Sequence, residues 1–501
     1  MFNLTKQKFN NLSNSYNVIP LYRQYVVDTE TPASLFLKIR EKLEPVFLLE
    51  SVEGPRGLAR YSVIGVDYSR LITYKNNVLT MEDRNGNILQ KAEGHPLKQL
   101  RNIMSGIRLY RDPGLDHFLG GAVGYVGYDM VKYFENIAIK ENPLYPEMML
   151  YLTDSLIVVD HYLNRLKIIA TMNIGDGLDS NQAYCTSVEI IESLENNIFR
   201  PSKAASGSSQ WIREEADIEY ECSQTQLDFE QSVEKAKGYI KRGDAFQIVL
   251  SQRFSMDTNA EGFDIYRRLR TTNPSPYMFF MDFKKFQMVG SSPEPLVKTN
   301  GDRILTCPIA GTRKRTGDDS LDEEVARELL RDKKEKAEHN MLVDLARNDL
   351  GRVSAYGSVE VSSYMQVEKY SHVMHLVSKV EGNLMPNRDI FDVLSSVFPA
   401  GTLTGAPKVR AMQIIEQLES QPRGPYGGAV GYFGYDGNMD LCITIRTALL
   451  KGSTAYVQAG AGIVYDSVPE TEYFETINKA KALLSAISMA KDKGGSRCFQ
   501  K

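Results

Sequence analysis

The carboxylates of this chain that stand in unusual company are the place to look for chemistry. Glu338 lies in the run AEHNMLVDLARNDLGR, where a 3.6-residue repeat turns it toward Leu342 and Leu345, an apolar side. A glutamate on such a face needs a partner, because an unpaired buried charge is costly. Glu472 and Glu475 stand three apart where a second helical run opens, so they share a face near its N-terminus. First-turn glutamates commonly offset the helix dipole, and spacing alone favours that use over metal binding. If the three converge, they form an all-oxygen donor set of the kind Mg²⁺ accepts while keeping part of its water shell.

Other segments offer hydrogen-bond donors. QAGAGIVYDSVPE (458–470) places Gly460 and Gly462 where backbone amides could cradle a carboxylate, and CPIAGTRKR (307–315) is a turn with a hydroxyl and nearby cations. Taken singly, each reads as a tight turn that needs small residues. Arg446, among the apolar residues of 441–449, calls for either a bound anion or an internal acid partner. Several familiar chemistries are excluded. GTLTGAPK (401–408) has the wrong spacing for a phosphate loop, and Val409 stands where a hydroxyl is needed. His372 and His375 have no companion zinc ligands. SSPEP (291–295) is not a nucleophile elbow, and no dinucleotide fingerprint follows a strand.

The elements that must position these residues mix strand and helix. Runs 151–160, 246–254 and 441–449 read as strands. The stretch 321–350 reads as one long helix stopped by Gly351, and a last helix follows Glu472 with Ile477, Ala480, Leu483, Leu484 and Ile487 on its buried side. Strands do not alternate regularly with helices, which predicts an α+β fold with antiparallel sheets. A Ser/Gly/Ala-rich break near 196–222 divides the chain into a domain 1–200, a linker 201–222 and a domain 223–492. GGAVGYVGYD (120–129) returns as GGAVGYFGYD (427–436), which reads as two glycine-rich strands whose backbones approach a neighbour closely, one in each half. The 501 residues carry a net charge of −4 with both signs interspersed, which offers no nucleic-acid groove or membrane patch. Five cysteines without a C-x-x-C pair, no apolar leader and no membrane-length run point to a reduced, cytoplasmic, soluble protein.

PIAGTR, AEHNMLVDLARNDLGRV, YSHVMHLVSKVEG, GTLTGAPKVRAM, GPYGGAVGYFGYDG and QAGAGIVYDSVPETEYFETINKA occur in this order between Gln247 and about Ala490. Together they resemble the chorismate-utilising enzymes and, within them, the anthranilate synthase large subunits. The resemblance implies two packed antiparallel sheets with helices outside and a site between them. It implies Mg²⁺ on Glu338 and Glu475, with Glu472 acting through a water, to hold the ring carboxylate of chorismate. Arg446, Tyr426 and the Gly460–Ala461–Gly462 backbone would hold the enolpyruvyl carboxylate. Ala310, Gly311, Thr312 and Thr402 would line the ring, with Lys408 in the same loop as Thr402. Glu294 would be the general acid for the departing C4 hydroxyl, and His375 would assist loss of pyruvate.

Two positions separate the subgroups. Ala310 stands where aminodeoxychorismate synthases resemble PIKGT, and an alanine cannot be that nucleophile. Gln247 stands where isochorismate synthases carry a water-activating lysine; a neutral amide suits ammonia instead. Leu48–Ser51 and NPSPYM (273–278) resemble a tryptophan feedback site, with Glu50, Ser51, Pro276, Tyr277 and Met278 as its contacts. The resemblance also implies a separate glutamine amidotransferase subunit in a hetero-oligomer. The rival readings are aminodeoxychorismate or isochorismate synthase, or a tryptophan-binding module without catalysis.

Overall fold

The computed structural model describes residues 1–52, 60–175, 177–200, 218–370 and 373–491. The linker expected at 201–222 therefore falls outside the described residues as far as 217, as do Trp211, His372, Cys498 and residues 53–59 of the segment that resembles a regulatory site.

Alternation of apolar residues along Tyr61–Lys75 and an unbroken apolar run along Met148–Asp160 make two long strands that pair antiparallel with each other. Register shifts between Gly65 and Arg70 bend this pair, so its two ends join different sheets. One end continues through Gly121–Val126, Ala429–Gly434, Met439–Ile443, Pro295–Asn300, Arg303–Thr306 and Val373–Asn383. The other continues through Phe47–Glu50, Tyr277–Asp282, Gln287–Ser292, Thr447–Lys451, Thr454–Ile463 and Gln247–Asp257. All these ladders are antiparallel, and a corner built from shared bent strands is the usual way for one sheet to turn into a second packed sheet. The expected α+β arrangement is what forms. Among the described residues no helix is long and apolar enough to cross a membrane.

Both halves of the chain contribute to both sheets, and they meet edge to edge at two seams. At one, the two echoing glycine segments pair with each other: Gly124 lies opposite Gly431, with Val123 against Tyr432 and Tyr125 against Val430. A β-carbon on Gly124 would fall 2.0 Å from the carbonyl oxygen of Met149, and one on Gly431 would fall 2.1 Å from that of Asp440. At the other seam, Phe47–Glu50 pairs with Met278–Met281.

Three local expectations need correction. The helix read over 321–350 is two helices, Asp319–Arg331 and Lys333–Gly351, because Asp332 leaves helical geometry and caps the second through the amides of Lys334 and Glu335. Gly351 lies inside that second helix and does not adopt the left-handed stop conformation; Arg352 ends the helix. The strand read over 441–449 is broken at Arg446, whose φ of 49° puts it in the left-handed region between two strands of different sheets.

Alanine at Gly124 or Gly431 should destabilise the fold by about 1–3 kcal/mol or more, since backbone and not a flexible side chain must yield. Gly351→Ala, in open helical space, should be neutral or stabilising. Urea unfolding of the three variants measures this, and equal midpoints would contradict the seam's tight packing.

Candidate active site

The break at Arg446 turns its side chain out of the strand direction. The guanidinium is buried, which depresses its proton affinity, and Nη1 donates to the Lys479 carbonyl oxygen at 2.8 Å. Tyr426 and Glu475 both act on it electrostatically. No ion pair holds Arg446 among the described residues, so of the two alternatives left by the sequence the internal salt bridge is not the one adopted.

Glu294 follows the strand Gln287–Ser292 between two prolines. It is buried, and it lines a cavity of about 50 Å³ together with Leu342, Leu345, Ala346 and Ile443. Burial pushes its pKa up to about 8; the bond it accepts from Thr402 Oγ1 at 3.1 Å and the charge of Lys479 pull the other way without winning. At neutral pH it therefore carries a proton to give. His375 sits on Val373–Asn383 with Nδ1 at 3.2 Å from the Gly311 carbonyl oxygen and 3.0 Å from Thr312 Oγ1. A carbonyl can only accept, so Nδ1 holds the ring proton and Nε2 is left as a base. Burial lowers the imidazole's proton affinity, which keeps it neutral. Gly311 makes this approach possible: its φ of 64° forms a bulge between Ala310 and Thr312 opposite His375.

Gln247 opens the strand Gln247–Asp257. Its Nε2 donates to Glu338 Oε1 at 3.0 Å, while its buried Oε1 has no donor among the described residues. A β-carbon on Gly460 would stand 2.8 Å from the Leu250 carbonyl oxygen and 2.9 Å from Tyr426 Oη, and one on Gly462 would displace Gln247 Nε2, 2.7 Å away. Ala461 is buried in the strand between them.

Glu472 and Glu475 lie in the first turns of Pro469–Lys491. Burial raises the proton affinity of both Glu338 and Glu472, and the same two lysines, Lys334 and Lys479, counter it at each. Lys479, four residues after Glu475 on one helix face, donates to Glu475 Oε1 at 2.5 Å and to the Gly460 carbonyl oxygen at 3.0 Å. It acts on Glu294, Glu338 and Glu472 as well, which makes it a cation at the centre of the site. The reading of the sequence missed it, although the i, i+4 spacing from Glu475 was a visible signal. Among the described residues no three His, Cys, Asp or Glu side chains form a ready-made metal group. The donor set still suits Mg²⁺ in kind: oxygen ligands only, two of them short of positive charge.

The chorismate binding enzyme family is matched over residues 44–485. The chain belongs to that family. It is 46% identical to anthranilate synthase component 1 of Acetivibrio thermocellus over 98% of this chain and 99% of the relative, and 43% identical to that of Aquifex aeolicus with the same coverage. Its structure is similar to that of anthranilate synthase component I from Streptococcus pneumoniae, with a TM-score of 0.74 at 38% identity, covering 91% of this chain and 98% of the other. The isochorismate synthase MenF of Escherichia coli shares the fold at a TM-score of 0.67 and 19% identity, over 95% of this chain and 97% of that one.

The residues expected to regulate lie apart from this site. Glu50, Ser51, Pro276, Tyr277 and Met278 line a second cavity of about 600 Å³, closed on another side by Val430, Gly431 and Tyr432. It therefore sits between the two seams. The Glu50 carboxylate is bound to Arg270 at 3.0 and 3.2 Å and to the hydroxyl of Tyr266.

The raised pKa of Glu294 has a measurable consequence. A carboxyl that holds its proton more tightly when folded contributes stability below about pH 4.5, its ordinary value, and loses it as pH rises through about 8. The melting temperature of the native chain minus that of Glu294→Gln should fall between about pH 5 and about pH 9, by roughly 5 °C or more. A pH-independent gap would show that Glu294 is not held protonated.

Proposed function

We propose that the chain is the chorismate-binding subunit of an anthranilate synthase, forming anthranilate and pyruvate from chorismate and ammonia. The observation that carries the ammonia assignment is Gln247: an amide whose nitrogen is tied to Glu338 and whose oxygen lacks a donor. Such a group can accept an N–H from an incoming amine but has no means of deprotonating water. Ala310 supplies no competing nucleophile.

The chain's own groups divide the work. Arg446, Tyr426 and the Gly460–Gly462 backbone bind the enolpyruvyl carboxylate, and Lys479 adds positive charge for a substrate that is a dianion. Protonated Glu294, steered by Thr402, delivers its proton to the C4 hydroxyl as ammonia adds at C2, since hydroxide is a poor leaving group. His375 Nε2, with Nδ1 fixed on Gly311, then assists the elimination of pyruvate that lets the ring aromatise. Mg²⁺ would be held by Glu338 and Glu475, with Glu472 through a water, and would supply positive charge for the ring carboxylate. The names of the relatives, component 1, support a separate partner component; we assign it as a glutamine amidotransferase that supplies ammonia. Tryptophan is the effector we assign to the cavity of about 600 Å³, with Ser51 and the Pro276–Met278 backbone as contacts and the ligand's amino group toward Glu50.

The purified chain with chorismate, ammonium and Mg²⁺ should release fluorescent anthranilate together with pyruvate, and a chelator should abolish it. Glu294→Gln should lower kcat by about 10²–10⁴. Release of aminodeoxychorismate or isochorismate instead would refute the assignment.

Ser51→Leu, which intrudes on the second cavity, should raise the tryptophan concentration needed for half-inhibition at least about tenfold while leaving uninhibited kcat unchanged. Unaltered inhibition would place the effector elsewhere.

A further inference from the structure

Behind the substrate-facing surface lies an ion pair that the mechanism does not use. Arg423 is 2% exposed and Glu419 is 9% exposed. The guanidinium Nε donates to Glu419 Oε2 at 2.9 Å and Nη2 to Oε1 at 2.6 Å. Its remaining donors reach two backbone carbonyls, Nη1 to Leu403 at 2.6 Å and Nη2 to Val249 at 2.9 Å. Glu419 Oε1 also accepts from the amide and the hydroxyl of Ser251, each at 2.8 Å, and that hydroxyl accepts from Gln458 Nε2 at 2.9 Å. The guanidinium carbon stands 4.8 Å from the centre of the Tyr128 ring and 5.7 Å from that of Tyr426.

Each tie ends next to a group assigned above. Leu403 follows Thr402, the residue bonded to Glu294. Val249 and Ser251 lie on the strand opened by Gln247, and Gln458 lies two residues before Gly460. Arg423 itself begins the turn that ends in Tyr426, whose amide donates to the Arg423 carbonyl at 3.3 Å. A buried ion pair contributes little net stability compared with apolar side chains of similar volume, so the four bonds that fix this guanidinium need another reason. A planar fork with fixed donor directions supplies one: it holds two carbonyls from separate segments at a set distance, which a lysine cannot do.

We infer that Arg423 and Glu419 are positioning residues, one buried pair that sets the relative placement of the Thr402 turn, the Gln247 strand and the Tyr426 turn. This inference rests on the proposed reaction for its kinetic meaning but not for its structural one. Two variants test it, Arg423→Lys and the apolar pair Arg423→Met with Glu419→Met. Hydrogen exchange should rise locally in 401–406 and 424–428 in both, with protection elsewhere near native. Anthranilate formation should fall about 10- to 100-fold in kcat, the cost of small misplacements of reacting groups, while the KM for chorismate changes less than about threefold. If the double variant does not fold, Arg423→Lys gives the answer through the same local exchange and kcat. Native exchange in those segments, or native kcat in a folded variant, overturns the inference. A native chain that makes no anthranilate overturns the proposed function instead, and the exchange measurement still decides the positioning role.

Discussion

Holding charge away from water is the constraint on which this molecule is organised. Glu294, Glu338 and Glu472 are all desolvated, and in each the carboxyl is pushed toward its protonated form. Against them stand two ammonium groups, Lys334 at the start of one helix and Lys479 on the last. In a low-dielectric pocket such an imbalance has two remedies: keep a proton, or admit a cation or a charged ligand that rearranges the pairing. Glu294, in a largely apolar cavity and bonded to the Thr402 hydroxyl, adopts the first. Glu338 and Glu472, which share two lysines, are open to the second. The same scarcity of positive charge that makes the site costly to fold thus separates a carboxyl that keeps its proton from two that a cation could pair.

The two sheets translate this into geometry. The strand that carries the PYM segment is the immediate neighbour of the strand leading to Glu294, with Tyr277 opposite Ser292 and Met278 opposite Ser291. The amide of Ser291 donates to the Arg446 carbonyl at 3.0 Å, and its hydroxyl is bonded to Asn273 and Ser275. An occupant of the second cavity would therefore press on a strand pair whose next bonds lead to both Glu294 and Arg446. The distance between the two cavities is bridged by ordinary ladder hydrogen bonds, without a specialised relay.

Much of this was legible in the sequence where one residue type has few uses. The α+β class followed from irregular strand and helix order, and the buried side of the last helix followed from its period: Ala480, Leu483, Leu484 and Ile487 are buried and Ile477 is partly so. The positions of Glu338, Glu472 and Glu475 on their helices were also readable. Three kinds of feature were not. Asp332 splits a helix because a capping aspartate competes with the helix interior, and a periodic apolar stripe running across both pieces hides the break. Arg446 adopts a left-handed conformation that its apolar neighbours do not announce. The partners of Arg423 lie 4, 20 and 174 positions away, so only the fold brings them together.

The paired glycine segments explain their own repetition. They run antiparallel about the point where Gly124 faces Gly431, so residues equally far from that point trade places: Val123 meets Tyr432 and Val430 meets Tyr125. That is the geometry of a two-fold dimer interface, folded into a single polypeptide. Each copy is the mould in which the other is cast, and a change in either must be matched by the contour it presses against. In this register the same residue types serve on both sides of the joint.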